Sequence, residues 1–190
     1  LLKDIFRYDG VNNIFFTLNV FSEDLLARGK DRLIEYVSHT TSDSEITRRE
    51  FLLIDVDPKR PAGVSSTDEE LQSSETVLIE VVNFLTSEGF PEPVIACSGN
   101  GYHALYKVDS PNTKEVTQLY KEFLYALDSK FSNEKAQIDK TTYNPARITK
   151  MYGTIACKGD STESRPHRRS RIVQAPNEFN VVDESLLKKV

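Results

Sequence analysis

The sequence predicts an α/β or α+β fold with helices packed against a sheet, and three observations carry that reading. Short runs of β-branched and aromatic residues alternate with two long segments of helical periodicity. The motif Thr67-Asp68-Glu69-Glu70 has the spacing of a capping box, so a helix should open there. An Asn-Gly step at Asn100-Gly101 joins two strand-like runs in the manner of a hairpin.

Taken in order, residues 14–20 are rich in β-branched and aromatic side chains and read as a strand, followed by a short helix at 23–28. After the polar break Ser42-Asp43-Ser44, residues 49–57 read as a buried strand ending at Pro58, with 59–63 as loop. The helix opened at Thr67 buries Leu71, Leu78, Val81, Val82 and Leu85 on one stripe, and Gly89 ahead of Pro91 stops it. A second helix over 113–131 aligns Val116, Leu119, Tyr120, Phe123, Leu124 and Leu127. Between the helices, 94–97 and 102–108 read as strands. Beyond the second helix come a short segment at Ile138-Asp139, a loop at Tyr143-Asn144-Pro145, and strand-like pieces around Ile148 and at 171–173.

Composition bounds the function classes. A chain of 190 residues, 38% hydrophobic and 28% charged, can bury one sizeable core and is not expected to be disordered. No apolar run is long enough to span a bilayer, and the opening LLKDIFRYDG has no basic stretch followed by an apolar one, so a cytoplasmic protein with no membrane partner is expected. The chain does not open on Met, so residues 1–190 read as a single core excised from a longer protein. Cys97 and Cys157, with His39, His103 and His167, show no structural zinc spacing, and two cysteines give no disulfide framework. The net charge of −5 hides an asymmetry: residues 1–139 carry 14 basic against 24 acidic side chains, whereas 140–171 carry 8 against 2. That late segment is either a phosphate-attracting surface or a solvated basic face.

Side chains alternate along a strand, so Asp55 and Asp57 share a face while Ile54 and Val56 take the other. Two adjacent carboxylates repel unless a cation or basic partner offsets them, and hard oxygen donors suit Mg²⁺ or Mn²⁺. The same spacing is also found at ordinary solvated strand ends and in sugar-nucleotide transferases. The run Ser98-Gly99-Asn100-Gly101-Tyr102-His103 combines a hydroxyl, glycines that permit close backbone approach, and an imidazole emerging on a strand. It reads as a phosphate-binding loop or as a tight hairpin with a half-buried histidine. A dinucleotide-binding turn would have to open a helix, and a nucleophilic serine would need glycine where Ala96 stands. Asp139 lies just ahead of Arg147, Lys150 and Lys158, and the string from Arg165 through His167 to Arg171 is either a phosphate-holding segment or a surface loop.

Together, IDVDP at 54–58, SGNGYH at 98–103, and ID at 138–139 followed by NPARITKMYGTIACKG resemble, in order, the three motifs of the archaeo-eukaryotic primase superfamily. The RPHRRS string is further similar to primase-polymerases carried by plasmids, phages and CRISPR-associated operons. The resemblance spans about Phe15 to Ile172. It implies an RRM-like sheet module packed with a second small α/β module and an active site in the cleft between them. It implies Asp55, Asp57 and Asp139 as catalytic ligands of two Mg²⁺ or Mn²⁺ ions. It implies a nucleotide site built from Ser98, Gly99, Asn100, Gly101 and His103, with Arg147 and Lys158, and further with Lys150, Arg165 and His167. The function implied is template-dependent nucleotidyl transfer from dNTPs or NTPs onto a DNA template-primer, or the start of a primer, in a prokaryotic or mobile-element setting with accessory domains, replication or CRISPR adaptation proteins as partners. The zinc module of primases has no candidate ligands here. A metal-dependent nuclease or an inert replication-initiator module are the competing expectations; the nuclease needs no triphosphate clamp. Phe15, Phe16 or Tyr102 would either crowd a ribose 2′-hydroxyl or pack the core.

Overall fold

The computed structural model describes residues 2–30 and 37–190. Its centre is strand β3 (Ile46–Pro58), with β4 (Val94–Cys97), β5 (Tyr102–Pro111) and β6 (Ala136–Ile138). Helices α2 (Asp68–Ser87) and α3 (Lys114–Phe131) connect them, giving the chain order strand-helix-strand-strand-helix-strand and the antiparallel spatial order β4-β5-β3-β6. That is the split βαβ arrangement of RRM-like sheets, as the resemblance implies. Strand β2 (Val20–Phe21) pairs with the start of β3, and β10 (Arg171–Gln174) extends the far edge along β4.

The helices form where the side chains dictate. The Thr67 hydroxyl accepts the Glu70 amide at 3.1 Å and Glu70 accepts the Thr67 amide at 2.9 Å, closing the capping box ahead of α2. Thr113 caps α3 by accepting the Val116 amide at 3.3 Å. Their apolar stripes, including Val77, Leu78, Val81, Leu85, Phe123, Leu124 and Leu127, bury against Leu52, Ile54, Val56, Ala104 and Tyr106 of the sheet. Each fully buried aliphatic or aromatic side chain contributes about 1.5–3 kcal/mol, so this side of the sheet holds the core. A short C-terminal helix α4 (Glu184–Lys189), opened by Asp183, packs on α3.

The other face carries two small ribbons. One pairs β1 (Phe15–Thr17) with β7 (Ile148–Lys150), and the other pairs β8 (Ile155–Ala156) with β9 (Arg168–Arg169). Helix α1 (Leu2–Tyr8) precedes them.

One expectation is corrected. Residues 14–20 are not one strand: β1 belongs to a ribbon and β2 to the main sheet. Asn19, buried between them, accepts the Glu50 and Phe51 amides at 2.9 and 3.2 Å and donates to the Pro145 carbonyl at 2.9 Å. The chain crosses between layers there because this side chain satisfies backbone groups of both. The short helix expected over 23–28 is present as a 3₁₀ helix, Glu23–Arg28, with no buried side chain.

Candidate active site

The alternation of β3 sends Leu52, Ile54 and Val56 toward the helices and Leu53, Asp55 and Asp57 toward the ribbons. On β5 it sends Ala104 and Tyr106 one way and His103 and Leu105 the other. The register pairs Asp55 with His103 and Leu53 with Leu105. Beneath the site, Leu18, Leu53, Val94 and Leu105 form an apolar floor with Phe51 and Tyr152 packed on it. Above it the ribbons close a cleft of about 400 Å³. Asp55, Asp57, Arg60, Ser98, Asn100 and His103 line the sheet side, and Asn13, Phe15, Arg147, Ile148, Thr149, Lys150, Ala156 and Lys158 line the ribbon side.

Charge is unevenly compensated within the cleft. His103 is 5% exposed and sits between two partners, its Nε2 3.3 Å from Asp55 Oδ1 and its Nδ1 2.7 Å from the Tyr152 hydroxyl. Burial alone would raise the Asp55 carboxyl, but His103, with Arg147 and Arg60 further off, holds it below its ordinary value. Asp57 is pushed above its ordinary value by burial and then by the neighbouring charge of Asp55, with Arg60 and Lys158 opposing the rise. Arg60 Nη1 reaches Asp57 Oδ1 at 3.2 Å and the Asn100 carbonyl at 3.3 Å.

The Ser98–Gly101 turn approaches its neighbours as closely as its glycines allow. Gly99 has φ +98°, and a Cβ there would lie 2.6 Å from Ala156 Cβ and 2.9 Å from the Arg168 carbonyl. The amide of Gly101 donates to Ser98 Oγ at 3.0 Å, so the hydroxyl also braces its own turn. Asn100 accepts the Ser66 amide at 2.8 Å, and its carbonyl accepts the Ser66 hydroxyl at 2.6 Å. It fastens the turn to the segment ahead of α2 while one edge lines the cleft.

Asp139 follows β6, and its amide donates to the Asp55 carbonyl at 2.8 Å. Its carboxylate accepts from the Thr141 amide and hydroxyl at 2.8 and 2.7 Å, with Arg147 Nη2 3.9 Å away. It is not among the residues that line the cleft. Lys150 is 5% exposed, donating to the Ile155 carbonyl at 2.7 Å and to Asn13 Oδ1 at 3.3 Å, and burial pulls its ammonium below the ordinary lysine value. Arg165 forms a two-pronged pair with Glu70 at 2.7 and 2.8 Å, and His167 Nε2 lies 2.8 Å from the Gly159 carbonyl. Both stand outside the cleft lining. Arg168 and Arg169 are paired with Asp68 and Asp9.

Sequence reasoning missed Arg60, Asn13 and Tyr152. Arg60 had a usable signal, a guanidinium three residues beyond the second aspartate of a strand end. Tyr152 had none, because its segment has no periodicity.

Asp55 and Asp57 fit a hard divalent cation: they are paired oxygen donors on one strand face, and Asp57 carries repulsion from its neighbour that Arg60 and Lys158 offset only in part. As the side chains stand, no three His, Cys, Asp or Glu groups converge as ligands among the described residues, since Asp139 is held by Thr141.

No family model matches the chain, and no curated protein matches it. Among solved structures, the chain is similar to the archaeo-eukaryotic primase domain of the cyanophage S-2L primase-polymerase, at 20% identity and a TM-score of 0.45, over 78% of this chain and 63% of that one. It is also similar to the polymerase domain of Mycobacterium tuberculosis Ligase D, solved in complex with DNA, at 18% identity and a TM-score of 0.42, over 65% of this chain and 45% of that one. The chain thus spans less than two thirds of either.

Proposed function

We propose that this chain is the catalytic core of a primase-polymerase, a template-directed nucleotidyltransferase that adds dNTPs or NTPs to a DNA primer terminus or starts a primer. One observation supports this above the others: Asp55 and Asp57, with His103 beside them on the sheet, face across a single cleft the three basic side chains Arg147, Lys150 and Lys158. A phosphoryl-transfer site needs acidic oxygens to hold cations and a separate basic wall to hold a polyphosphate.

In this reading Asp55 and Asp57 would hold Mg²⁺ or Mn²⁺, with Asp139 supplying a third carboxylate from the adjoining strand. Bound there, two divalent ions would supply charge neutralisation at the α-phosphate and acidify a primer 3′-hydroxyl. The chain's own groups do the positioning. His103 Nε2, Arg147, Lys150 and Lys158 offer donors to the triphosphate, and the Ser98–Gly101 turn brings backbone close to it. Phe15, half-exposed at the cleft edge, gives the nucleoside an apolar wall.

A labelled primer-template incubated with and without dNTPs tests the reading. Elongation that depends on added nucleotide and disappears in the Asp55→Ala, Asp57→Ala double variant supports it. Shortening of the primer irrespective of nucleotide would instead mark a nuclease.

A further inference from the structure

We infer that Tyr152 is a positioning residue for His103, its hydroxyl donating to Nδ1 so that the ring presents Nε2–H to Asp55 and the cleft. The inference rests on the reading of His103 as a phosphate-gripping group.

The argument is one of donors and acceptors. An ionised carboxylate only accepts, and Asp55 Oδ1 lies 3.3 Å from Nε2, so that nitrogen carries hydrogen. In a neutral imidazole the other nitrogen is then an acceptor, and among the described residues the group at Nδ1 is the Tyr152 hydroxyl at 2.7 Å. The tyrosine is itself fixed. Its ring packs on the apolar floor of Leu18, Leu53, Val94 and Leu105 and meets the imidazole edge to face, with centroids 5.8 Å apart. Tyr152 comes from the segment between β7 and β8, so the hydroxyl also ties the ribbon layer to the sheet.

This matters for an anion. A neutral histidine in the other tautomer would turn a lone pair toward both Asp55 and an incoming phosphate, and both contacts would be repulsive. With Nδ1 satisfied by a donor, the ring can only offer hydrogen. A bystander tyrosine would need the ring alone, whereas a positioning tyrosine needs the hydroxyl.

Tyr152→Phe keeps the ring and removes only the hydroxyl. The chain has three histidines, so long-range ¹H–¹⁵N spectra of the nucleotide-free protein are assignable with His103→Ala. They should be recorded across a pH series, with the two proteins compared at each pH. In the wild type the His103 signals should be those of an Nε2–H ring whose Nδ1 accepts a hydrogen bond; in Tyr152→Phe the Nδ1 signal should move to that of a free acceptor or of mixed tautomers. The KM for dNTP should rise about fivefold, the size of one neutral hydrogen bond, with kcat and Tm little changed. Identical His103 signals in the two proteins, or a wild-type ring protonated at Nδ1, would overturn the inference. The spectra do not depend on catalysis, so absence of polymerase activity would sink the proposed function while leaving this test intact.

Discussion

The amide of Asp139 donates to the carbonyl of Asp55 at 2.8 Å, extending the β3–β6 ladder one step beyond the Val56–Ile138 pair. Three groups from distant parts of the chain therefore start from neighbouring strands in one row: His103 on β5, Asp55 on β3, and Asp139 past β6. Side chains in directly opposed positions begin about 5 Å apart at Cβ, so like charges there repel. The molecule divides the load: Asp55 turns to His103, and Asp139 turns to Thr141 and Arg147.

Asp57 is left with the residual repulsion, and its removal should stabilise the cation-free protein. The folded value of this acid lies above its ordinary one, so the folded state binds more protons than the unfolded one between those values. Stability is therefore lost as pH rises through that window and is not regained above it. Asp57→Asn should raise Tm by about 1–2 °C near neutral pH, a small figure because the carboxylate keeps 41% of its surface exposed and solvent screens it. The difference should vanish in acid below the ordinary carboxylate range. Thermal scans without divalent ions check this; added Mn²⁺ should then raise the wild-type Tm more than that of the variant.

Arg147 and Arg165 came from one basic stretch but should fail in opposite ways when removed. Arg147→Ala should raise the nucleotide KM by about tenfold or more, as expected for loss of a charged phosphate contact, with little change in Tm. Arg165→Ala should leave KM unchanged and lower stability, because it breaks a two-pronged pair with Glu70 that also clamps the capping box of α2. The pair holds the Glu70 carboxyl below its ordinary value. Its contribution is thus present above the unfolded carboxylate value and lost as pH falls through the lower folded one, so the two proteins should converge in stability in acid. Steady-state kinetics and urea titrations separate the cases.

That contrast shows where the sequence could and could not be read. Features set by neighbours in the chain were legible: the shared face of Asp55 and Asp57, the capping box at Thr67, and the hairpin ahead of His103. Features set by distant partners were not. Nothing local marks Arg165, Arg168 and Arg169 as partners of Glu70, Asp68 and Asp9, so a string of structural ion pairs was indistinguishable from a phosphate-holding segment. The break at Asn19 was hidden for the same reason, since its hydrogen bonds go to Glu50, Phe51 and Pro145. Buried charges are legible only when both partners are known.

Gly99→Ala should be among the most damaging single-methyl changes in the chain. A side chain at φ +98° is strained, and the new Cβ would press on Ala156 Cβ and the Arg168 carbonyl, neither of which is the end of a flexible side chain. About 2–4 kcal/mol should be lost by strain and overpacking together. Since Gly99 is where the sheet turn touches the β8–β9 ribbon, the methyl should also push the two cleft walls apart. Equilibrium unfolding gives the first effect; a nucleotide KM that rises beyond the loss of folded protein gives the second. A variant as stable as wild type would mean that the turn and ribbon are not packed as described.

Lys150 offers the reverse trade, function held at the expense of stability. Its ammonium is buried with one carbonyl and one amide oxygen for company and no carboxylate within ion-pair distance among the described residues. Burial, opposed by Cys157 and Asp9, lowers its value in the folded state. Between that value and the ordinary lysine one, the unfolded chain binds more protons, so stability rises with pH across the window and the penalty is fully present below it. Methionine has nearly the same length and no charge to desolvate. Lys150→Met should therefore raise Tm by about 2 °C near neutral pH, a gain that shrinks in alkali, because the removed desolvation cost exceeds the one strong hydrogen bond lost. Nucleotide affinity should fall about tenfold in the same protein. A lower Tm with unaltered nucleotide binding would show instead that Lys150 serves as a strut between β7 and β8 and takes no part in the basic wall of the cleft.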